Sequence, residues 1–402
     1  MSILKTIYLQ HLNGAAPNAT LDANGNMTVT GTVVAGSSMG MRNRIINGDM
    51  RIDQRNAGAS VTPTDATYTL DRWKFRVSQT SKLAVQQNAG SVTTPAGFAN
   101  YLGVTSSSAY SVNSTDYFLF VQDIEGFNFS DLDFGTANAK TVTLSFWVRS
   151  SLTGTFNVAL RNSAANRSYP VTYTILAANT WEQKTITIAG DTSGTWLGAT
   201  SGIGASVIFN IGCGSTFNGT SGSWQAGNYT GVSGATSVVG TNGATFYITG
   251  VQLESGTIAT PFEYRDIGTE VRMCLRYHYR TRQYVNTAQM WIAPGAIIAT
   301  TQARYNISLP TTMRTYPAIS VTPAYNTGSG WQINVTGIAN FAWNAAPTIL
   351  DSDNGSPAGA AAASICFMAT SSGLSASYVG LGSVPYMPTG VNTNQLILDA
   401  EL

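Results

Sequence analysis

The sequence predicts an all-β protein: an antiparallel jelly-roll sandwich followed by a second, smaller β-sandwich domain. Two observations lead to this fold class. Apolar and polar residues alternate in short runs, as half-buried antiparallel strands require. Spacers rich in Gly, Ser, Thr and Asn separate these runs, which is typical of turns. Many short strands with almost no helical periodicity indicate a sandwich, and jelly roll is the topology that we expect.

The first element is a short N-terminal hairpin lead-in, residues 1–40. Asp22 to Gly25 is predicted to be a tight turn between two short strands, because Asn-Gly supplies the positive φ that such hairpins require. Small residues then form a linker over 31–40. A hairpin segment of this size is marginally stable alone, so we expect another chain or a docking partner to hold it.

Residues 41–265 are predicted to form the jelly-roll domain. The alternating runs that predict its strands are 72–77, 141–148, 181–188, 205–211 and 245–253. Residues 212–244 differ from the rest, because Gly, Ser and Thr dominate and the only aromatic residues are Phe217, Trp224 and Tyr229. A long loop that carries aromatic side chains is a common place for a binding function.

Residues 266–282 are predicted to form one short linker helix. Val271, Cys274, Leu275 and His278 recur at helical spacing in this segment. Residues 283–402 are predicted to form the C-terminal β-domain, and its last strand is expected within 395–402. The chain has no internal repeat and no heptad run, so we expect no coiled-coil shaft.

Composition limits the class of partner. Only 10% of the residues are charged and the formal net charge is +1, so the sequence lacks the electrostatic footprint of a protein that binds nucleic acid or an anionic membrane. No stretch is apolar for long enough to span a bilayer, and the first residues lack the apolar core of a signal peptide. We therefore expect no nucleic acid partner, no membrane insertion and no export. The cysteines, at 213, 274 and 366, are expected to be buried thiols rather than a disulfide framework.

Residue types that carry catalysis are sparse, so we expect no enzymatic activity, no cofactor and no metal site. The only histidines are His11 and His278, and neither lies near a nucleophile motif. Asp123 and Glu125 would share one face of a strand, as a glycosidase could use, but arginine partners and turn caps account for such acids. Two segments offer weak calcium signals, 131–133 and 351–355. The second lacks the distal Glu of an EF-hand, and Asp/Asn/Gly turns explain both.

Aromatic side chains are the remaining candidates for ligand contact. Sugar rings present apolar faces that stack on aromatic rings, while amides and hydroxyls satisfy the sugar hydroxyls. The candidate stacking residues are Trp224, Tyr229, Trp331, Phe341 and Trp343. For each of them the alternative is that the ring pins its loop to the sandwich. Trp73 and Trp147 lie inside alternating strands and are expected in the core.

Two signatures carry a resemblance to a known family. The first is Asn43-Arg-Ile-Ile-Asn-Gly-Asp-Met-Arg-Ile-Asp-Gln-Arg55 with Leu70-Asp-Arg-Trp73. The second is Ile248-Thr-Gly-Val-Gln-Leu-Glu254 with Ala259-Thr-Pro-Phe-Glu-Tyr-Arg265. Together they resemble the β-rich distal domains of tailed-bacteriophage fibre and appendage proteins, whose jelly-roll modules look like carbohydrate-binding modules. The resemblance covers about residues 40–280.

The resemblance implies a structural virion protein of a tailed phage, most simply a tail fibre or related appendage that assembles as a homotrimer. Such a protein would adsorb to host cell-surface polysaccharide, and residues 1–40 would attach it to another virion protein. Two alternatives stay open. One is a capsid-attached head fibre or decoration protein. The other, from a different class, is a glycan-degrading hydrolase. A free-standing carbohydrate-binding module of a secreted enzyme is the least favoured interpretation.

Overall fold

The computed structural model describes residues 7–9, 19–21, 27–29, 41–281, 290–291, 293–322, 331–335, 338–343, 345–351, 362–387 and 395–402. The chain divides into two compact units, Met1–Arg42 and Asn43–Leu402. Within the described part of the chain, no helix has both the length and the apolar character needed to cross a membrane.

The N-terminal unit contains a small antiparallel sheet. Its strands are β1 Ile7–Leu9, β2 Ala19–Leu21 and β3 Met27–Val29. Strand β2 pairs with β3, with Leu21 opposite Met27, so the predicted hairpin is confirmed. Its turn, residues 22–25, lies outside the described residues. Strand β1 pairs with the other edge of β2, a partner that the turn signal did not predict.

The first β-domain of the larger unit contains fourteen strands, β4 to β17. They are β4 Thr67–Leu70, β5 Trp73–Val77, β6 Leu83–Gln87, β7 Leu102–Ser106, β8 Tyr117–Glu125, β9 Val142–Ser150, β10 Gly154–Asn162, β11 Arg167–Ile175, β12 Glu182–Ile188, β13 Ile203–Cys213, β14 Asn218–Gly219, β15 Gln225–Ala226, β16 Gly231–Val232 and β17 Thr245–Ser255. Short 3-10 turns lie at Ala89–Ser91, Gly126–Asn128, Ser130–Leu132 and Ser215–Phe217.

These strands form a sandwich. A seven-stranded sheet has the order β15-β11-β10-β13-β8-β5-β4, and a five-stranded sheet has the order β12-β9-β17-β7-β6. Apolar side chains of the two sheets share one core, in which Phe120 and Phe209 meet Phe146. Trp73 is fully buried and stacks on Phe120 at 4.5 Å, as predicted for a core residue. Antiparallel pairing between strands distant in sequence confirms the predicted jelly-roll class of fold.

The α-helix of the described residues, α1, spans Ile267–Leu275. The Asp266 carboxylate caps it by accepting hydrogen bonds from the backbone N–H groups of Gly268 at 2.9 Å and Thr269 at 3.1 Å. The helix is shorter than the predicted span of 266–282. His278 is not on the helix but in strand β18, His278–Arg280, because the last strand of the chain offers this segment a ladder of antiparallel partners.

The remaining strands form a second, smaller β-sandwich, as predicted. They are β19 Met290–Trp291, β20 Gly295–Ala299, β21 Gln302–Met313, β22 Ala318–Thr322, β23 Gln332–Val335, β24 Ala339–Ala342, β25 Thr348–Asp351, β26 Ala362–Thr370, β27 Gly382–Met387 and β28 Gln395–Asp399, with a 3-10 turn at Ala376–Tyr378. One sheet has the order β18-β28-β22, and the larger one runs β24-β23-β27-β20-β21-β26-β25 with β19 beside β27. Leu398 of the first and Phe367 of the second lie in one core.

Residues 399–402 join the two sandwiches. The predicted final strand ends at Asp399, and the chain then lies against β4 and β5. Glu401 pairs with the fully buried Arg72, and the Leu402 carbonyl oxygen accepts hydrogen bonds from Tyr68 Oη at 2.7 Å and Lys74 Nζ at 2.9 Å. If the C-terminal segment detached, Arg72 would be left as a buried charge without its partner. These contacts therefore hold the C-terminal segment on the first sandwich.

Candidate functional site: a groove on the seven-stranded sheet

Two of the five candidate stacking residues are core residues. Trp331 is 0% exposed and Trp343 is 1% exposed, and their ring centroids lie 5.1 Å apart. They face each other across the β23–β24 hairpin, where the Trp343 N–H donates to the Trp331 carbonyl at 2.9 Å. The hairpin turns this face toward the second core, together with Ile333 and Val335. The prediction that these two tryptophans are exposed platforms is therefore wrong.

The other three candidates are half-buried. Trp224 packs against Tyr169 and Trp196, and its Nε1 donates to the Ala189 carbonyl at 2.7 Å, so its ring pins the loop to the sandwich. Tyr229 lies close over the backbone of its own loop, and Phe341 packs against Tyr378 at 5.4 Å. Ligand contact by Trp224, Tyr229 and Phe341 stays a prediction.

The outer face of the seven-stranded sheet carries an unusual set of side chains. Successive residues of a strand point to opposite faces. In β8, Phe118 and Phe120 point into the core, so Leu119 and Val121 point outward. They form a separate apolar cluster with Ala159 of β10 and Ile208 of β13, all at most 6% exposed. The outer face of an ordinary antiparallel sheet is polar, so a buried apolar cluster distinguishes this face.

A groove of about 300 Å³ opens over the outer-face cluster. Leu119, Val121 and Ile208 form its floor. Tyr117 and Phe217 form an aromatic wall, with their rings edge to face at 5.7 Å. The polar lining consists of Arg76, Arg161, Ser163, Asn228 and Thr230. The groove therefore combines an apolar floor, an aromatic wall and a rim of hydrogen-bonding groups.

The loop of residues 212–244 contributes one side of the groove. Asn157 Nδ2 of β10 donates to the Thr230 carbonyl at 2.8 Å, which anchors the loop to the sheet. The Thr230 N–H donates to the Phe217 carbonyl at 3.0 Å, which sets the aromatic wall. The composition of this loop predicted a binding function, with Trp224 and Tyr229 as the residues expected to contact a ligand. Asn228 and Thr230 line the groove instead, while Tyr229 between them does not.

The two arginines of the groove have different electrostatic surroundings. Arg76 forms a bidentate pair with Asp65, through Nε at 2.8 Å and Nη2 at 3.2 Å. Burial raises the pKa of Asp65, but the hydrogen bonds and charge of Arg76 outweigh it, so the pKa of Asp65 lies below its ordinary value. Arg161 has no carboxylate within ion-pair distance among the described residues; its Nη1 donates to Asn228 Oδ1 at 2.6 Å. Burial lowers the pKa of Arg161.

The acids with possible catalytic spacing are already engaged. Asp123 and Glu125 do share one face of β8, as expected, but Asp123 pairs with Lys74 and with the Ser206 hydroxyl. Glu125 accepts from Arg276 Nη2 and from Tyr277 Oη, both at 2.6 Å. Neither acid lines the groove.

Two cysteine thiols and one histidine imidazole are among the other reactive side chains in the described part of the chain. Burial raises the pKa of the Cys213 thiol to about 11 and that of Cys274 well above its ordinary value, so both are protonated near neutral pH. His278 Nδ1 lies 3.5 Å from Asp399 Oδ2, while His11 lies outside the described residues.

The weak calcium signals fall on turn residues or outside the described chain. Asp131 pairs with Arg44 at 2.7 Å, and Asp133 lies 3.7 Å from Lys140. Residues 352–355 of the second signal are not described. In the described segments, no three His, Cys, Asp or Glu side chains converge as a metal site would require.

Comparison with known proteins gives structural likenesses only. No family model and no curated protein matches the sequence. A putative sugar-binding protein from Bacteroides thetaiotaomicron matches with a TM-score of 0.32 and 12% identity, over 54% of this chain and 100% of that one. The family 11 carbohydrate-binding module of a Clostridium thermocellum cellulosomal cellulase matches with a TM-score of 0.25 and 12% identity, over 51% and 99%.

A phage protein is among the similar structures as well. The enzymatically active domain of bacteriophage CBA120 tailspike protein 4 matches with a TM-score of 0.28 and 13% identity. The match covers 53% of this chain but only 21% of the tailspike chain. All these scores are too low to carry an argument about ligand or activity.

Proposed function

We propose that the groove on the seven-stranded sheet binds carbohydrate and that the protein is a binding protein without catalytic activity. The groove itself carries the proposal. Its apolar floor and the Tyr117–Phe217 wall suit the apolar face of a sugar ring, and Ser163 and Asn228 suit its hydroxyls. The engagement of Asp123 and Glu125 in ion pairs and hydrogen bonds supports a binding role over glycan hydrolysis.

The biological setting that we propose follows the sequence resemblance. The protein is a structural component of a tailed-phage virion, a homotrimeric tail fibre or appendage that adsorbs to host surface polysaccharide. Residues 1–40 attach it to another virion protein. Three grooves in one trimer raise the effective affinity far above that of a single weak site. The solution mass measured by light scattering tests the trimer, and a monomer would remove avidity from the mechanism.

Affinity electrophoresis in gels that contain soluble polysaccharides tests the groove directly. Tyr117 is the half-buried ring of the aromatic wall, so Tyr117→Ala should weaken retention by a bound polysaccharide about tenfold, equivalent to roughly 1.4 kcal/mol. The matched control is Tyr264→Ala, which removes a 56% exposed tyrosine that does not line the groove. Retention that persists unchanged in Tyr117→Ala would place the sugar site elsewhere. Release of reducing sugar during the assay would favour the hydrolase alternative.

A further inference from the structure

We propose that the groove selects a polysaccharide bearing an acidic group and that Arg161 is the residue that binds this group. This inference rests on the proposed function, because it concerns the ligand class of the same groove. It goes further in naming an oxyanion on the sugar, a carboxylate or a phosphate, as the feature that is recognised.

The position of Arg161 on the seven-stranded sheet keeps its guanidinium out of ion-pair contact with the acid on the same row of residues. Arg161 lies near the end of β10, opposite Ser206 of β13, and Ser206 lies opposite Asp123 of β8. Asp123 is therefore two strands away from Arg161, about 10 Å along the hydrogen-bonding direction. Its carboxylate is occupied by Lys74 and by the Ser206 hydroxyl. Asp123 therefore acts on the charge of Arg161 only at a distance, and no carboxylate of the described sheet forms an ion pair with Arg161.

The hydrogen-bonding capacity of Arg161 is only partly used among the described residues. A guanidinium offers five N–H donors in a planar fork. Among the described residues, Arg161 uses one of its terminal nitrogens, for Asn228 Oδ1 at 2.6 Å, and its buried Nε has no partner. A partly buried cation without a counter-ion is costly, and the lowered pKa of Arg161 reflects the same cost. A ligand oxyanion in the groove would lower this cost by pairing with the terminal nitrogens of the guanidinium.

Arg76, which lines the same groove, differs from Arg161 because it has a carboxylate partner. The Asp65 carboxylate already takes the fork of Arg76 through two hydrogen bonds. Of the two groove-lining arginines, Arg76 therefore has an ion-pair partner and Arg161 has none among the described residues. Charge complementarity favours an anion at Arg161, while the apolar floor beside it favours a sugar ring over a free ion.

The experiment uses the full chain and affinity electrophoresis with matched pairs of polymers. Polygalacturonate and polysialic acid provide carboxylates on sugar rings, and a phosphomannan provides phosphates on sugar rings. Galactan and dextran provide neutral sugars. We expect tighter retention by the carboxylate or the phosphate arm than by the neutral arm, and the tighter arm identifies the source of the oxyanion. Arg161→Gln should weaken acidic retention about tenfold or more, because charged hydrogen bonds are lost. Retention by the neutral polymers should fall by a smaller factor, because a neutral sugar loses only one uncharged-ligand hydrogen bond with Arg161.

Two further variants separate the fork from net charge. Arg161→Lys keeps the charge but loses the planar fork, so its retention should be intermediate. Arg304→Gln is the control for net charge, because Arg304 is exposed on β21 of the second sandwich. Thermal unfolding of each variant checks that it is folded.

The outcomes distinguish this inference from the proposed function. Retention by neutral polymers alone, unaffected by Arg161→Gln, would overturn the acidic ligand and leave sugar binding intact. Equal losses in Arg161→Gln and Arg304→Gln would show non-specific attraction and would also overturn the inference. No retention by any polymer would overturn both proposals.

Discussion

The two outer faces of the first sandwich both carry aromatic side chains, but they use them differently. On the five-stranded sheet, Tyr247 of β17 packs against Tyr101 at 5.2 Å, and Tyr101 packs against Trp181 at 5.6 Å. On the seven-stranded sheet, Tyr117 and Phe217 stand beside an open groove. The first face is covered by a loop of its own chain, and the second is open.

The covered face is closed by residues 88–101. A Cβ on Gly103 of β7 would lie 2.5 Å from the Ala89 Cβ, which shows how closely this loop approaches the sheet. Tyr101 Oη donates to the Ala89 carbonyl at 2.5 Å and accepts from the Val92 N–H at 2.8 Å. Trp181 Nε1 donates to the Thr93 carbonyl at 2.8 Å. The polar atoms of these rings are thus satisfied by backbone.

Aromatic content alone therefore does not mark a binding site in this protein. On the covered face, the rings pack against one another, backbone groups satisfy the polar atoms of Tyr101 and Trp181, and both kinds of contact stabilise the fold. On the open face, space remains above an apolar floor, and Arg161 keeps donors without partners among the described residues. Open space together with unsatisfied donors is the feature that distinguishes a site from a core.

The largest expected effect is on the covered face. Tyr101→Ala removes a ring that is 1% exposed and should lower the free energy of unfolding by about 3–5 kcal/mol, as for other buried aromatic residues. Polysaccharide retention should be unchanged at temperatures where the variant is folded. Urea unfolding and affinity electrophoresis measure the two quantities. A parallel loss of retention would mean that the two faces are coupled, and the comparison would then fail.

Much of the fold could be predicted from the sequence because alternation is a local property. The five alternating runs correspond to β5, β9, β12, β13 and β17. Alternation does not predict strand β8, because Tyr117 to Val121 is continuously apolar. Its side chains contribute alternately to the core and to the outer-face cluster. That same anomaly builds the floor of the groove. An apolar run where one face should be polar was the sequence signal that could have found it.

The site itself could not be predicted in the same way. Trp331 and Trp343 lie among polar and small residues in the sequence, and only their pairing across a hairpin turns both inward. The proposed role of Arg161 depends on the register of three strands. This register places the Asp123 carboxylate next to Lys74 and out of ion-pair contact with Arg161. Residue type and spacing do not contain that information.

The two faces should also differ in how the stability contributed by their side chains depends on pH. Asp116, 4% exposed, directly precedes Tyr117 and accepts from Ser78 Oγ, Tyr110 Oη and the Asn113 N–H at 2.8–2.9 Å. Burial raises its pKa, but these hydrogen bonds outweigh burial and lower the pKa to about 2. A depressed folded pKa gives stability that is present above the unfolded pKa, near 4, and is lost as pH falls toward 2.

Asp116→Asn should therefore cost about 1–2 kcal/mol of unfolding free energy at pH 6 and little at pH 2. Urea unfolding of both proteins across pH 2–6 measures the difference. Burial raises the pKa of Tyr101, so that ring is neutral throughout this range and Tyr101→Ala should show the same loss at every pH. A constant difference for Asp116→Asn would contradict the role of its carboxylate.

The smallest expected effect is on the Asp65–Arg76 pair, whose side chains are 41% and 38% exposed. Asp65→Asn should cost less than about 1 kcal/mol of stability, because exposed pairs are screened. It also frees the fork of Arg76, so retention by an acidic polysaccharide should strengthen about two- to fivefold while neutral retention stays constant. Asp133→Asn is the matched control, since the Lys140–Asp133 pair is equally exposed and does not line the groove. A gain of equal size in both variants would mean that net charge, rather than the groove, attracts the polymer.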